Sequence, residues 1–406
     1  MAKAFDKVSH KILLSKLTNM KVTGKVHAWI TEFLTKRSQE VNIEGHKSSP
    51  ADVISGVPQG TVLGPVLFII YMNNITYYVT STIIYMFADD SKIIAKIQNV
   101  EDRQKLIIDI QSLLSWTEIN AMKFNEDKFQ LQQIGSNEQL KQPYNLGNIT
   151  VTGTEHVRDL GIYISEDLSF KHHITEMIDN ATNFSSWLLR TFRSREPEVM
   201  LLLLKTYIIP RLEYLSPIWT PHKTGEIEDI ESVQRSFTAK IEGLEDYNYH
   251  QRLQKLNLYS LQRRRERYVL IHAFKIYLKL APNDPNLEFH HHPRLGLQCR
   301  RKLIKTRVAK IKTLRFNSFS HYAPRLFNVL PAKVKTAKTV AAFKYRLDRL
   351  LKHVPDTPPI KGYSKMNNNT LPEWVGSIQS AASQITGDQE RDGGELDNSV
   401  GHLGMI

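Results

Sequence analysis

The sequence predicts an α+β fold, with helices packed on an antiparallel sheet in the N-terminal part and an almost entirely helical part after it. Apolar residues recur at helical spacing over residues 6–37 and through most of the chain beyond residue 171. Residues 38–65 and 157–165, by contrast, show the alternation and turn residues of short strands. Two further helices are predicted at 65–75 and 101–120.

Composition narrows the classes of function. The 406-residue chain carries a formal net charge of +13, which favours a polyanionic partner, nucleic acid before an anionic membrane. Its single cysteine, Cys299, excludes an internal disulfide and fits a reducing compartment. No apolar run approaches the ~18 residues of a membrane-spanning helix, and the opening residues MAKAFDKVSH lack the apolar core of a signal peptide. We therefore expect an intracellular protein, nuclear or cytoplasmic, that is not secreted and has no membrane partner.

Two adjacent aspartates, Asp89 and Asp90, interrupt the strand-like segment IYMFADDSKII. A two-residue turn between strands normally uses Asn-Gly or Gly-Gly, because the turn needs positive φ, and Asp-Asp is a poor substitute. Two carboxylates ~4 Å apart also repel each other by about 4 kcal/mol at an effective dielectric constant of ~20. A solvated turn tolerates the pair at that cost, whereas bound cations relieve the repulsion. The segment alone allows both interpretations.

The segment SGVPQGTVLGP, residues 55–65 and here called the glycine-rich loop, is the second informative stretch. Glycines and prolines at this density allow a ligand or another part of the backbone to approach closely. The helix predicted just after it would direct its N-terminus towards the loop, and a helix N-terminus favours phosphate. An ordinary surface loop is the alternative interpretation of this segment alone.

Taken together, these segments resemble the reverse transcriptases of non-LTR (LINE-type) retrotransposons, jockey-like ones in particular. The match consists of SGVPQGTVLGPVLFIIYMNNI, FADD, MKFNEDKFQL and VRDLGIYIS in this order, preceded by KAFDKVSHKILLSKL. It continues into YIIPRLEYLSPIWTP and FSHYAPRLFNVLP, up to about residue 350. The resemblance implies a remnant of the polymerase palm over 1–170, a thumb-like helical region over 171–290 and a basic nucleic-acid-binding region over 291–353. The composition of the tail, 354–406, predicts mostly disorder.

The resemblance also implies an RNA-directed DNA polymerase and assigns roles to individual residues. Its partners would be an RNA template, a DNA primer and deoxynucleoside triphosphates, and its cofactors two Mg²⁺ ions, or Mn²⁺ in their place. Lys128 would act in catalysis by assisting the departure of pyrophosphate, and an exposed surface lysine is an equal interpretation of this residue. The other implied roles are catalysis and metal binding by Asp89 and Asp90, nucleotide binding by Phe5, Gln59 and Gly60, and a primer grip at Leu160 and Gly161.

One residue of the family's pattern has no counterpart in the sequence. The first motif has the form Asp-x-x-Lys-Ala-Phe-Asp, and its leading aspartate binds both metals. Residues 3–6 match the end of that motif, so the aspartate would fall one position before Met1. We expect the chain to be the C-terminal part of a longer reading frame and to be catalytically inactive as it stands. The alternatives are a non-catalytic RNA-binding remnant and, as a third interpretation, a two-metal nuclease.

Basic residues concentrate near the C-terminus, where residues 294–353 contain 17 lysines and arginines against one acidic residue. Aromatic residues interleave with them, which fits phosphate contact combined with base stacking. These aromatic residues are Phe316, Phe319, Tyr322 and Phe327. The predicted nucleic-acid contacts in this region are Arg300, Arg301, Lys302 and Lys305.

Three further patterns are explained in whole or in part without a functional role. The arginines of QRRRERY, residues 262–268, are expected on a helix, either on a solvated face or on an RNA-contacting face. Trp187 and Trp219 lie near leucines and tyrosines and are expected in the core. The histidines 290–292 lie in a proline-rich connector without a spaced partner, so we do not expect a metal site there.

Overall fold

The chain folds into two units, Met1–Val157 and Arg158–Ile406, each with its own apolar core. Both units combine helices with small antiparallel sheets, which confirms the α+β class. The finer division into palm, thumb and basic region stays a prediction. The structure, a computed structural model, describes residues 1, 3–135, 137, 140–146, 149–282, 289–290, 302–303, 317–361 and 369–385.

Helices form most of the core of the N-terminal unit. The helix predicted over 6–37 is divided in two, because Lys21 and Gly24 both adopt left-handed backbone conformations that end one helix before the next begins. The buried helix predicted from PVLFIIYMNNI is present and starts two residues earlier than expected. The helices are α1 (His10–Asn19), α2 (Gly24–Leu34), α3 (Leu63–Met72) and α4 (Val100–Ile119).

Strands in the described part of this unit occur as separate antiparallel pairs, where the sequence predicted one sheet. The pairs are β1 (Ser38–Gln39) with β4 (Ala51–Asp52), β2 (Asn42–Ile43) with β3 (His46–Lys47), β5 (Ile83–Phe87) with β6 (Asp90–Ile94), and β7 (Tyr144–Leu146) with β8 (Ile149–Val151). The single strand predicted at 157–165 is a hairpin at the boundary between the units, with strands β9 (His156–Asp159) and β10 (Ile162–Ser165).

A buried polar cluster connects α1, α3 and α4 in the core of the N-terminal unit. The Lys16 Nζ donates hydrogen bonds to the Tyr71 carbonyl at 2.5 Å and to Asn74 Oδ1 at 2.8 Å. The same Asn74 oxygen accepts from the Trp116 indole at 3.1 Å. Burial lowers the pKa of Lys16 to about 8. Because every member has a partner, the cluster fixes how these helices pack without leaving a buried polar group unsatisfied.

The C-terminal unit is predominantly helical, as the sequence predicts. Two groups of buried residues form its core, one around α5 and the other around α10. Its helices are α5 (Lys171–Thr191), α6 (Pro197–Leu203), α7 (Ser216–Trp219), α8 (Thr224–Thr238), α9 (Tyr249–Lys255), α10 (Leu261–Tyr277), α11 (Phe319–Val329), α12 (Ala332–Lys335), α13 (Val340–Leu351) and α14 (Val375–Ile385). Two short strands also pair, β11 (Phe289–His290) and β12 (Lys302–Leu303).

The arginines of QRRRERY lie on α10 as predicted, but both predicted interpretations of them are wrong. Arg263 and Arg265 are almost completely buried. The other two guanidinium groups are held by carboxylates distant in sequence: Arg264 Nη2 bonds to Glu213 at 2.9 Å and Arg267 Nη2 to Asp348 at 2.7 Å. All four arginines are therefore used inside the unit and do not form a solvated or RNA-contacting face.

The basic region also needs correction where the structure describes it. Phe327 is fully buried, and the Tyr322 hydroxyl donates a 3.0 Å hydrogen bond to the buried Glu266. These aromatic residues were expected to stack on bases, but they pack α11 against α10 instead. The tail is partly ordered as well, because Leu371 and Ile378 are buried in the same core. Residues 386–406 lie outside the described residues.

Within the described residues, no helix is long and apolar enough to cross a membrane.

Candidate active site

The aspartate pair lies at the tip of the β5–β6 hairpin, but the two residues do not form the turn together. Phe87 pairs with Asp90 across the hairpin, so the two turn residues are Ala88 and Asp89. Ala88 has a φ of 52°, a left-handed conformation that costs a residue with a Cβ about 1–2 kcal/mol. Asp89 is half-buried in the turn, whereas Asp90 begins β6 and is exposed.

The buried carboxylate of Asp109 on α4 holds the chain immediately before β5. It accepts five hydrogen bonds of 2.8–3.2 Å from the backbone amides of Thr80, Ser81 and Thr82 and from the two threonine hydroxyls. Burial alone would raise the pKa of Asp109, but these hydrogen bonds outweigh it and hold that pKa below its usual range. Sequence reasoning missed Asp109. The available signal was the run Thr80–Thr82, whose donors precede a strand.

The glycine-rich loop lies against the segment that opens the chain. The Gly56 amide donates to the Val8 carbonyl at 2.8 Å, and the Val57 amide donates to the Phe5 carbonyl at 2.9 Å. The carbonyl oxygen of Gly56 is contacted as well, because the His10 ring Nε2 lies 2.8 Å from it. Two backbone hydrogen bonds and the His10 side chain therefore fix the loop beside residues 5–10.

Only glycine fits at position 56. A Cβ there would lie 3.0 Å from both the Cα and the carbonyl oxygen of Asp6, and the φ of +90° is itself unfavourable for other residues. Gly64, near the start of α3, is restricted in the same way, because a Cβ added there would lie 2.3 Å from the Pro58 carbonyl oxygen. Gly60 also has a positive φ, +76°, but open space surrounds it.

This close approach brings two predicted nucleotide-binding residues together. Gln59 Nε2 donates a 3.0 Å hydrogen bond to the Asp6 carboxylate, and Phe5 precedes that aspartate. The Phe5 ring stacks on Phe68 of α3, with centroids 4.3 Å apart and planes 13° from parallel. Sequence reasoning predicted both positions from the family resemblance but missed Asp6 as the partner of Gln59.

The same opening segment reaches the aspartate turn at its other end. The Met1 amino group lies 3.5 Å from Asp89 Oδ2 and 3.4 Å from the Asp89 carbonyl oxygen. Residues 1–6 therefore run from the Asp89 carboxylate to Gln59. Two motifs that are far apart in the sequence, the glycine-rich loop and the aspartate turn, thus converge on one short segment.

Lys128 is not brought into this group. It ends a short 3₁₀ turn, Glu126–Lys128, and is exposed. No hydrogen bond or ion pair connects it to the aspartate turn in the described part of the chain. Its assignment to catalysis, like the surface-lysine alternative, stays a prediction.

The predicted primer grip is the tip of the β9–β10 hairpin. Leu160 and Gly161 have φ values of 45° and 87°, the pattern of a type I′ turn. Tyr214, which sequence reasoning missed, supports this tip from within the C-terminal unit. Its hydroxyl donates a 3.1 Å hydrogen bond to the Leu160 carbonyl, and its ring lies 3.3 Å from the position a Gly161 Cβ would take.

The four predicted nucleic-acid contacts of the basic region stay predictions. Arg300, Arg301 and Lys305 lie outside the described residues, and only the backbone of Lys302 is described, in β12.

Comparisons with known proteins agree with the family resemblance of the sequence motifs. Residues 1–164 match the family model described as reverse transcriptase (RNA-dependent DNA polymerase). The resemblance predicted from the motifs is thereby confirmed. The matched residues include the opening segment, the glycine-rich loop, the aspartate turn and the tip of the β9–β10 hairpin.

The similar curated proteins are polymerases of mobile elements. The chain is 22% identical to the RNA-directed DNA polymerase from mobile element jockey of Drosophila melanogaster over 251 residues, which cover 59% of this chain and 27% of that protein. It is 25% identical over 261 residues to the jockey polymerase of Drosophila funebris, with the same two coverages. It is 24% identical over 255 residues to the probable RNA-directed DNA polymerase from transposon X-element of Drosophila melanogaster, covering 60% and 27%. The chain therefore spans about a quarter of the length of these relatives.

We predict that Gly56→Ala destabilises the site more than Gly60→Ala does. Both substitutions place alanine at positive φ, at a cost of about 1–2 kcal/mol. Only the Gly56 variant also forces a Cβ against the Asp6 backbone, which adds roughly 1–3 kcal/mol. Urea unfolding with hydrogen exchange of peptides covering 1–10 and 55–60 measures the difference. Equal losses in the two variants would contradict the close approach.

We predict that Tyr214→Phe loosens the tip of the β9–β10 hairpin while leaving the rest of the C-terminal unit intact. The substitution removes the hydrogen bond to Leu160, worth about 0.5–1.5 kcal/mol, and keeps the ring. Hydrogen exchange of peptides covering 156–165 should become faster by about 2- to 10-fold, the factor that this loss of free energy gives. Tyr345→Phe, at an exposed tyrosine on α13, is the matched control and should change nothing there. Unchanged exchange in Tyr214→Phe would show that the tyrosine does not support the hairpin.

Proposed function

We propose that this chain is the reverse transcriptase part of a non-LTR mobile-element polymerase, which copies an RNA template into DNA from a primer and deoxynucleoside triphosphates. The observation that carries the proposal is the convergence of two motifs on residues 1–6. The aspartate turn adjoins one end of this segment, and the glycine-rich loop with Gln59 adjoins the other. A nucleotide-joining centre needs carboxylates beside a close-fitting nucleotide pocket, and this arrangement would place the Asp89 and Asp90 carboxylates and the nucleotide-binding residues Phe5 and Gln59 around one segment.

The chain's own residues would select and orient the nucleotide. Stacking on Phe68 holds the Phe5 ring in one position, and a ring fixed beneath the incoming sugar would collide with a 2′-hydroxyl. The pocket would therefore favour deoxynucleotides. Gln59 is oriented by Asp6, so its side-chain amide is already in place beside the pocket before a nucleotide binds.

The donor set at the turn suits magnesium. Mg²⁺ is usually bound by one or two carboxylates together with substrate phosphates, and Asp89 and Asp90 provide two. Within the described residues, no group of three or more histidine, cysteine or acidic side chains could hold a metal without a substrate. When bound, the ions would orient the attacking and leaving oxygens and neutralise their charge. The repulsion between the two carboxylates would be relieved at the same time.

The position of Met1 indicates where the leading aspartate of the family's first motif would lie. In the family's first motif, a metal-binding aspartate precedes the residue that corresponds to Met1. Because the Met1 amino group lies 3.5 Å from Asp89 Oδ2, a residue joined to it would lie directly beside the aspartate turn. A chain extended by that aspartate would therefore bring a third carboxylate to Asp89 and Asp90.

We predict that Asp89→Ala abolishes primer extension on an RNA template in a chain extended upstream to include the leading aspartate. Loss of this ligand should lower the rate by at least about 100-fold, since even outer partners of metal ligands are worth 10–100-fold. Asp229→Ala, at an exposed aspartate on α8, is the matched control and should extend primers like the unsubstituted chain. The 406-residue chain itself should remain at background.

Three results would count against this account. Equal extension by the Asp89→Ala and unsubstituted chains would remove the metal-ligand assignment. Robust, Asp89-dependent extension by the 406-residue chain would show that the leading aspartate is dispensable. RNA binding by the extended chain without any extension would favour the non-catalytic alternative.

A further inference from the structure

An exposed group of aromatic side chains lies on the C-terminal unit, where the sequence predicted core. Trp187 on α5 is 49% exposed, and Tyr207, in the turn of π-helix Leu204–Ile208, is 46% exposed. Phe184 lies between them, with ring centroids 5.3 Å from Trp187 and 6.1 Å from Tyr207. Trp219, predicted in the core with Trp187, is 1% exposed, so only one of the two tryptophans is a core residue.

An arginine completes this group. The Arg211 guanidinium carbon lies 4.1 Å from the centroid of the Phe184 ring, and its Nε donates a 3.1 Å hydrogen bond to the Tyr207 carbonyl. Arg211 is exposed and forms no ion pair among the described residues, unlike Arg264 and Arg267, which carboxylates hold. We call Phe184, Trp187, Tyr207 and Arg211 the aromatic platform.

The charge around the platform is positive. Residues 184–211 contain five basic side chains and two acidic ones. Arg190 and Arg193 follow Trp187 directly along the chain and are exposed. The surface therefore combines flat apolar faces with an excess of basic side chains, among them Arg211, which forms no ion pair within the described residues. A purely apolar protein partner would leave these cations unpaired, whereas a polyanion with aromatic rings matches both features.

We propose that the aromatic platform is a binding site for single-stranded RNA. Unpaired bases would stack on Trp187 and Tyr207, and Arg211 would contact a phosphate. Bases in a duplex have their faces covered by their neighbours, so stacking on protein aromatics requires unpaired nucleotides. The inference rests on the proposed function only for the choice of RNA as the ligand, because binding here needs neither the aspartate turn nor a metal.

Equilibrium binding of the full chain to a fluorescein-labelled single-stranded RNA of about twelve nucleotides, without nucleotides or divalent ions, tests this proposal. The same RNA annealed into a perfect duplex is the comparison ligand. Trp187→Ala should weaken single-strand binding about 5- to 150-fold, the range that corresponds to loss of one base–aromatic stack, and change duplex binding less than twofold. Arg211→Gln should weaken single-strand binding and reduce the log–log salt slope by about 0.7, the value of one phosphate contact.

The chain contains a matched control for Trp187. Trp29 on α2 is 60% exposed and stacks on Phe33 at 5.9 Å, but no arginine or lysine lies over this aromatic pair in the described residues. Trp29→Ala should leave both affinities unchanged. Far-UV circular dichroism and the unfolding midpoint establish that each variant is folded. Arg211→Gln changes only an exposed side chain, so it tests RNA binding by the platform even if Trp187→Ala does not fold.

Three outcomes would overturn the proposal. Unchanged single-strand affinity and salt slope in Arg211→Gln would show that the platform does not contact RNA. Equal losses on single strand and duplex would indicate backbone contact without stacking. A change in sedimentation of Trp187→Ala with unchanged RNA affinity would identify the platform as a protein-binding face. None of these measurements uses primer extension, so failure of the RNA-binding proposal can be distinguished from failure of the polymerase assignment.

Discussion

The close approach of the Gly56 backbone to Asp6 is the contact on which the N-terminal site depends. Glycine permits this approach, because a Cβ at position 56 would lie only 3.0 Å from the Asp6 backbone and would force it to shift. The approach allows the hydrogen bonds from Gly56 to Val8 and from Val57 to Phe5. Those bonds in turn bring Gln59 within reach of the Asp6 carboxylate. The opening segment, so fixed, extends in the other direction to Asp89.

In the C-terminal unit, a buried pair of charged side chains determines how α10 packs. Arg263 Nη1 lies 3.1 Å from Glu266 Oε2, and both side chains are fully buried. Burial raises the pKa of Glu266 to about 7, and the charge of Arg263 opposes that rise. Such pairs add little net stability, but removing one partner leaves a costly unpaired charge, so the pair favours one packing of α10. Any attraction of this unit for RNA must come from other basic residues, such as Arg211.

The sequence predicted the parts of the fold that local pattern determines. The helix α3 and the β5–β6 hairpin follow from apolar periodicity and from the aspartate pair, and the family motifs assigned Phe5 and Gln59 to nucleotide binding. What the sequence could not show depends on partners distant along the chain. Glu213 and Asp348, which hold Arg264 and Arg267, lie 51 and 81 residues from them. The identity of the turn residues also escaped prediction, because Ala88 adopts a conformation that alanine seldom takes.

Local pattern also could not decide which aromatic residues are exposed. Phe327, in a strongly basic segment, is buried and Tyr322 in the same segment is partly buried against the core around α10, whereas Trp187, in an apolar segment, is half-exposed. Exposure depends on which other helix covers a face, and composition near a residue does not contain that information.

The central claim is that the aspartate turn, the opening segment and the glycine-rich loop form one metal-dependent nucleotide centre. Cleavage by hydroxyl radicals from Fe²⁺ in place of Mg²⁺ tests it most directly, with the chain extended upstream to include the leading aspartate, a primer–template and a deoxynucleoside triphosphate. The account predicts cuts within residues 1–6, 55–60 and 88–90, all of them lost in Asp89→Ala. An unchanged cleavage pattern in Asp89→Ala, or cuts confined to the histidines 290–292, would contradict it.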